Sequence, residues 1–406
     1  MRLQTRAPAC VLLALCGPLP GQVVDWTEAR VMEKFLEQSP YAREAKAKAE
    51  SARAEAAGRT LLPNPGAIGS REGAGYAAFF QLEQSLPVSG RRGLLKQAGA
   101  AAVEAAESDA AAVLWSLRMD VRRAFYRAVA AQTREGVLAD GMRDLEEVIR
   151  ILRAREREGE GSRYDRLRAE RELAEQRSQW ALARSDTAQA RAALTAYLPA
   201  GVSIQRVAAA IETPAMVPGL EELARRALSR RAEYIAEQRH MERYRLETRA
   251  AERLRYPEPV AIAGIKRGDV APGRTETSPA IGIRISLPVF NKGQTEAAHW
   301  RAEQERSAAR REALERRIRA EVAVAALALE ARTAAVDQYR REVNEVGADL
   351  TRIARVSYQE GQIGILELLD SYRVNRQALL RLLDLRALAK EAVIELDRAV
   401  GEEATP

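Results

Sequence analysis

The amino-acid sequence predicts a mainly α-helical chain with a small β part, in which long coiled-coil helices and four β-strands are written as two copies of one pattern. Three observations predict it. Composition is the first: the 406 residues are rich in Ala, Arg, Glu and Leu, with 30% charged and only 5% aromatic residues, a mix that favours long helices over a compact mixed core. The second is an apolar seam that advances by threes and fours along Pro-free segments. The third is a pair of short passages that recur at one separation.

The length suffices for two or three ordinary domains. A balance of 64 Lys+Arg against 57 Asp+Glu gives a formal charge of +7, which invites a nucleic-acid reading. That reading fails locally. Arg alternates with Glu, as in Arg153-Ala-Arg-Glu-Arg-Glu158, the pattern of a solvated helix face with pairs at helical spacing, and no basic block forms. No nucleic-acid partner is expected.

Residues 1–21 read as a secretory signal peptide. Arg2 and Arg6 form the charged start, Cys10 to Gly17 (CVLLALCG) the short apolar run, and Pro18, Pro20 and Gly21 the break near a cleavage point. The run is too short to span a bilayer as a helix. Leu13-Ala-Leu-Cys16 resembles a lipoprotein box, but Leu15 is larger than the residue such a box places before its cysteine. Cys10 and Cys16 are the only cysteines, so the mature chain would have none, which suits an oxidising compartment without disulfides. No later stretch has the length and apolarity of a membrane helix; a membrane crossing would have to be a barrel.

Internal repetition organises the rest. Gln84-Ser-Leu-Pro-Val88 is matched by Ile285-Ser-Leu-Pro-Val289, an offset of 201, and Arg157-Glu-Gly159 by Gln359-Glu-Gly361, an offset of 202. The expected division is a first repeat over 22–212, a second over 213–401 entered through the Pro-bearing stretch Thr213 to Gly219, and a tail at 402–406. Each repeat runs in the same order: a helix (about 26–62, and 219–255), a Pro/Gly-rich region with two strands, a very long helix (about 90–156, and 291–357), a Gly-bearing turn, and a last helix (about 163–198, and 364–400). At about 1.5 Å per residue, each long helix would reach roughly 100 Å.

The seam of the first long helix is Leu114, Leu117, Val121, Ala124, Ala128, Ala131, Glu135, Leu138, Met142, Leu145, Ile149 and Leu152, eleven of the twelve apolar, which indicates a coiled coil. The last helix has a weaker one at Leu368, Tyr372, Asn375, Leu379, Leu382, Arg386, Ala389, Val393 and Leu396. The strands alternate with period two. Ile281, Ile283, Ile285 and Leu287 oppose Ala280, Gly282, Arg284 and Ser286, while Tyr76, Ala78, Phe80, Leu82 and Leu86 oppose Ala77, Phe79, Gln81, Glu83 and Ser85. Partner strands are placed near Pro65–Glu72 and Pro259–Lys266. A sheet on a soluble core and a barrel with lipid outside and water inside both show this alternation, so periodicity does not choose between them.

These residues resemble the TolC-like outer-membrane efflux proteins along essentially the whole mature length. The resemblance rests on the duplicated order of helix, hairpin, long helix and helix. It rests also on Leu-Pro-Val-Phe-Asn-Lys-Gly at 287–293, with its degenerate copy Leu-Pro-Val-Ser-Gly-Arg-Arg at 86–92, and on Tyr358-Gln-Glu-Gly-Gln-Ile-Gly-Ile-Leu-Glu-Leu-Leu-Asp370. The length and compact hairpins look closest to the heavy-metal, CzcC-like branch. The resemblance implies a homotrimer whose four strands per subunit close one twelve-stranded barrel in outer-membrane lipid, with the helices continuing as a tube through the periplasm. It implies a passive exit duct for small molecules or metal cations, working with a periplasmic adaptor (membrane fusion) protein and an inner-membrane efflux pump. Pro87 and Pro288 would sit where strand becomes helix, since Pro ends a ladder and suits a first helical turn.

Little else in the chain carries chemistry. Two histidines (His240, His299) without ligand spacing, no mature cysteine and no Gly-rich phosphate loop leave no catalytic residue, metal site or cofactor to expect; an enzyme is not indicated. Glu367 and Asp370 lie three apart on one face of the last helix. In a threefold assembly, with that face inward, they would form a ring of carboxylates that attracts cations. The resemblance places the closed gate of the tube at this helical tip, with Glu367, Asp370, Asp165 and Tyr358 as candidate gate residues; Asp165 and Arg168 take the places of Glu367 and Asp370 in the first repeat. The plainer alternative is that all are ordinary polar surface residues. Members with a charge-locked gate carry a basic residue where this chain has Ile363, so an Arg–Asp lock is not expected unless Arg163 supplies it. The competing function is a periplasmic coiled-coil structural or adaptor protein, which would carry one coiled-coil hairpin rather than two copies of the pattern.

Overall fold

The computed structural model describes residues 25–73, 77–212 and 218–404, with side chains omitted over 343–348. The signal-peptide expectation for 1–21 with its two cysteines, Tyr76, most of the link from Thr213 to Gly219, and the last two residues lie outside them. The chain enters through strand β1 (Asp25–Trp26), and Thr27 caps helix α1 (Glu28–Gln38) by accepting from the Arg30 N–H. Helix α2 (Pro40–Gly58) follows directly. The single helix expected over 26–62 is therefore two, because the residue before a proline is driven out of the helical region. Ser39 is extended (φ −63°, ψ 138°), and Pro40 serves as the first residue of the new helix.

Strands β2 (Gly66–Glu72) and β3 (Ala77–Ser85) form the first hairpin, and helix α3 (Arg91–Arg157) runs for 67 residues before the turn to α4 (Arg163–Thr195). A two-residue strand β4 (Arg206–Val207) then pairs in parallel with β1, an element not foreseen, and buries Trp26 and Val207. Helices α5 (Leu220–Arg230) and α6 (Ala232–Glu252) again replace one expected helix. The break is at Arg231, held extended (φ −63°, ψ 115°) by ion pairs to Glu233 and Glu321. Strands β5 (Pro259–Ala271) and β6 (Arg274–Ile285) make the second hairpin. The second long helix is α7 (Gln294–Tyr339), interrupted by a π-helical turn (Arg340–Asn344) before α8 (Glu345–Gln359); α9 (Ile365–Val400) closes the order. The uninterrupted rod expected over 291–357 thus carries a wide turn that the first long helix lacks.

Packing is strung along the rod. The seam of α3 is buried at Val121, Ala128, Leu138, Leu145, Ile149 and Leu152. Near its start α3 meets α2 through Ala45, Ala49 and Ala110, and α6 through Ala98, Ala101 and Leu246. Near its end it meets α4 and α9 through Leu145, Leu152, Leu173, Leu368 and Tyr372. Two further clusters lie between. One joins α1, α3 and α4 through Phe35, Phe125 and Leu194, and one joins α5, α7 and α9 through Leu223, Ile318, Leu329 and Leu396. Each fully buried Phe or Leu contributes about 1.5–3 kcal/mol. The α9 seam is buried at Leu368, Tyr372, Leu382, Ala389, Val393 and Leu396 but open at Leu379.

The four hairpin strands form one antiparallel sheet in the order β2-β3-β5-β6, so the two hairpins meet through β3 and β5. Phe80 faces Ile265, Leu82 faces Ala263, and Ala263 faces Ile281. Because α3 starts just after β3 and is unbroken, sheet and helical tip are separated by about 100 Å.

Candidate functional site

The function of a rod with a sheet at one end and helix turns at the other must be sought at its two ends. At the sheet, register settles which residues share a face. Phe80, Leu82 and Gln84 of β3 align with Ile265, Ala263 and Ala261 of β5, and these with Pro279, Ile281 and Ile283 of β6; Ala78, at the far end of the same face, aligns with Arg267. This apolar face is uncovered: Phe80 is 61% and Ile281 87% exposed. No extensive packing links any of the four strands to a helix. The opposite face carries Gln81, Glu83, Lys266 and Arg284 among small residues, with Ile68, Phe79, Val260 and Ile262 as its large apolar ones. Glu83 is ion-paired to Arg284, and the Lys266 ammonium lies 5.2 Å over the Phe79 ring. The outer strands β2 and β6 each leave one edge unpaired.

The strand-to-helix junctions differ from expectation in detail. Pro87 and Pro288 lie beyond their strands but not in a first helical turn. In each, the N–H of the following valine (Val88, Val289) donates to the carbonyl of the preceding leucine (Leu86, Leu287) at 2.9 Å. That is a three-residue turn centred on the proline, which supplies the φ this turn needs. The helices begin only after left-handed glycines, Gly90 (φ 76°) and Gly293 (φ 82°).

At the tip, the candidate gate residues fall into two pairs. Glu367 and Asp370 are exposed and share a groove of about 620 Å³ between α8 and α9, walled by Leu350, Ile353, Ile363 and Val374. Asp370 is also ion-paired to Arg373 on its own helix. Tyr358 sits instead against Arg155, whose guanidinium lies 5.4 Å from its ring centre, and Asp165 is near enough to Tyr358 to act on its phenol. Burial pushes the Tyr358 phenol up, with Arg155 opposing and Asp165 adding to the shift. Arg168 donates to the Tyr164 hydroxyl at 3.1 Å, and Arg163 is exposed at the first position of α4.

Sequence reasoning missed the partners that tie this tip together. Arg355 Nε donates to the Tyr372 hydroxyl at 2.8 Å and its Nη2 lies 3.6 Å from Asp144, joining α8, α9 and α3. Arg155 and Tyr358 stand about two hundred residues apart in the chain, beyond any local signal. The two histidines also come onto one aromatic stack: His240 on Tyr244 (6.0 Å), Tyr244 on Trp300 (5.8 Å), and His299 against Trp300 (4.8 Å). Among the described residues no three His, Cys, Asp or Glu converge as metal ligands, and no helix is long and apolar enough to cross a membrane.

An antiparallel four-stranded sheet on a long helical rod, with short helices packed at mid-height, is the fold of solved outer-membrane channels. The chain superposes on the Campylobacter jejuni CmeC outer membrane channel with a TM-score of 0.74 at 15% identity, covering 93% of this chain and 86% of that one. It matches a membrane protein from Pseudomonas aeruginosa with a TM-score of 0.72 at 19% identity, over 92% and 93% of the two chains. The open state of the Neisseria gonorrhoeae MtrE outer membrane channel matches with a TM-score of 0.71 at 20% identity, over 93% and 89%. No protein-family model and no curated protein sequence matches the chain.

Proposed function

We propose that three copies of this chain close a twelve-stranded barrel in the outer membrane and extend their helices as a tube through the periplasm. The assembly is a passive exit duct, not an enzyme, for small molecules or metal cations. It is driven by an inner-membrane pump and joined to it by a periplasmic adaptor at the helical tip. One observation carries this reading: a sheet with an uncovered apolar face and two unpaired edges. In water both features are liabilities, and lipid contact with closure by further copies removes both. Exposed Leu182, Val324 and Leu327 on helices already packed along another side leave apolar surface for neighbouring copies. The rival reading, a periplasmic structural or adaptor protein, leaves the open sheet face without a role.

Supporting the duplicated halves, left-handed glycines recur in step: Gly90 with Gly293, Gly159 with Gly361, and Gly201 with Gly401. A signal peptide over 1–21 would deliver the chain to the periplasm. The test is fractionation of the expressed chain, followed by its mass in detergent. Recovery in the outer membrane at three chain masses is expected; a soluble lone subunit sinks the reading. For the gate, Glu367→Gln with Asp370→Asn should lower cation preference in single-channel recordings, and unchanged selectivity and conductance would remove both residues from it.

A further inference from the structure

The four places where the sheet joins helices are tied into one band. The Arg92 Nε–H donates to the Thr60 carbonyl at 2.8 Å, the Gln84 side-chain amide to that of Pro63 at 3.0 Å, and the Leu86 N–H to that of Pro259 at 2.9 Å. Ser89 donates to Glu258, and Arg91 pairs with Glu296 at 3.1 Å. A cleft of about 300 Å³ brings Arg253, Tyr256 and Glu258 against Leu287, Pro288 and Asn291.

This band is strongly cationic. Residues 59–65, 86–96, 253–258 and 286–293 hold one, three, two and one basic residues, seven in all, against a single acid, Glu258. Two of the seven are neutralised, Arg59 by Glu247 and Arg91 by Glu296, and the adjoining Glu252 is taken by Arg301. Arg92, Lys96, Arg253, Arg255 and Lys292 are all exposed, and none has a carboxylate partner among the described residues. The far end of the sheet differs: residues 71–77 and 266–276 hold four basic and three acidic residues. Large apolar side chains stand between the cations of the band. Phe290 is 92% exposed, and Leu61, Val88, Leu287 and Val289 are exposed as well. Leu287 follows Ile285 by two residues, at the end of the uncovered apolar face. The Arg255 guanidinium lies 4.9 Å over the Tyr256 ring and donates to its hydroxyl at 2.9 Å.

We propose that this band seats in the headgroup layer of one membrane leaflet and binds anionic phospholipid there. Arg92, Arg255 and Lys292 meet headgroup phosphates, and Leu287, Val289 and Phe290 enter the acyl boundary. Cations interleaved with exposed apolar and aromatic side chains are the pattern of interfacial anchoring. Uncompensated cations gain most from lipid of net negative charge; a zwitterionic headgroup brings its own cation. The inference rests on the lipid-facing sheet proposed above and adds the lipid class, on the side from which the helices leave.

The test begins with flotation of the purified full chain on vesicles of dioleoylphosphatidylcholine alone, which reports insertion. Native mass spectrometry then follows the detergent-held oligomer as phosphatidylglycerol or phosphatidylcholine is added. Insertion into the neutral vesicles is expected, with phosphatidylglycerol retained in preference and the preference shrinking as salt is raised. Arg92→Gln, Arg255→Gln and Lys292→Gln combined should weaken phosphatidylglycerol by about fivefold or more; should that variant fail to insert, Lys292→Gln alone is read. Arg267→Gln with Arg274→Gln, at the far end, should leave the preference intact. Equal retention of the two lipids by the native chain, or unchanged retention by the combined variant, overturns the proposal and leaves the barrel standing. Failure to insert in any vesicle sinks the barrel and this inference together. If the combined variant instead lowers the temperature at which the lipid-free oligomer dissociates, without changing lipid retention, a neighbouring copy meets these cations and the proposal is overturned.

Discussion

Gly293 meets two constraints at once. Its backbone is left-handed, and a Cβ there would sit 2.1 Å from the Ala251 carbonyl oxygen. Gly361 shares the conformation (φ 74°) but has open space around it. Gly361→Ala should therefore cost only the conformational term, about 1–2 kcal/mol, and Gly293→Ala distinctly more, as read from paired denaturation curves. A second residue-scale case is Arg122. It is buried between Glu28 at 2.6 Å and Asp397 at 2.7 Å, and Glu28 also accepts from the Tyr126 hydroxyl at 2.7 Å. Replacing Arg122 with Met strands two carboxylates across α1, α3 and α9. A loss of about 3–5 kcal/mol is expected, the cost of breaking a buried pair from one side; a loss under about 1 kcal/mol would show the three helices held by apolar packing alone.

Elements are held in register by such contacts, and one at the tip is pH-dependent. Hydrogen bonds from Arg153 (2.8 Å) and Arg166 (2.9 Å) hold the Glu170 carboxyl below its usual 4.5. A depressed folded value means the unfolded chain binds the proton more readily. The stabilisation is therefore complete above about pH 4.5 and lost as pH falls through the lower folded value. Glu170→Gln should lower the melting temperature at pH 7, and its difference from the native chain should close as pH falls from 4.5 through the lower folded value. For the sheet, alternation makes the two faces unequal. Ile283→Lys, on the uncovered apolar face, should cost about 2–4 kcal/mol if that face meets lipid and deplete the chain from the outer membrane. Ala280→Lys, on the opposite face, should assemble normally. Equal recovery of the two variants would count against a lipid-facing sheet.

At the scale of the molecule, sheet and tip sit on opposite ends of a rod, so the proposed insertion and the proposed gating are mechanically separable. The helix plan was legible because breakers and seams are local. Gly90, Gly159 and the Pro-free run between them mark α3, and the three-four spacing marks its buried face. The break at Pro40 splits the one helix expected over 26–62, although the proline itself was a local signal for it. The π-helical turn at Arg340–Asn344 was not, since that stretch holds neither Pro nor Gly and nothing local distinguishes it from helix. Nor was the extended Arg231, which is fixed by Glu321 ninety residues away. Of the candidate gate residues, Glu367 and Asp370 line one groove, where helical spacing puts them on one face. Tyr358 needed the fold to bring it to Arg155 and within reach of Asp165.

Helix lengths, seams, the hairpins and their alternating faces follow from the residues alone, because each depends on neighbours a few positions apart. What covers a face does not. Ile281 and Phe80 would alternate identically over a protein core or toward lipid, and only their exposure, with no extensive helix packing against them among the described residues, shows that these do not bury them. Local periodicity fixes which way a side chain points; tertiary contact decides what it meets.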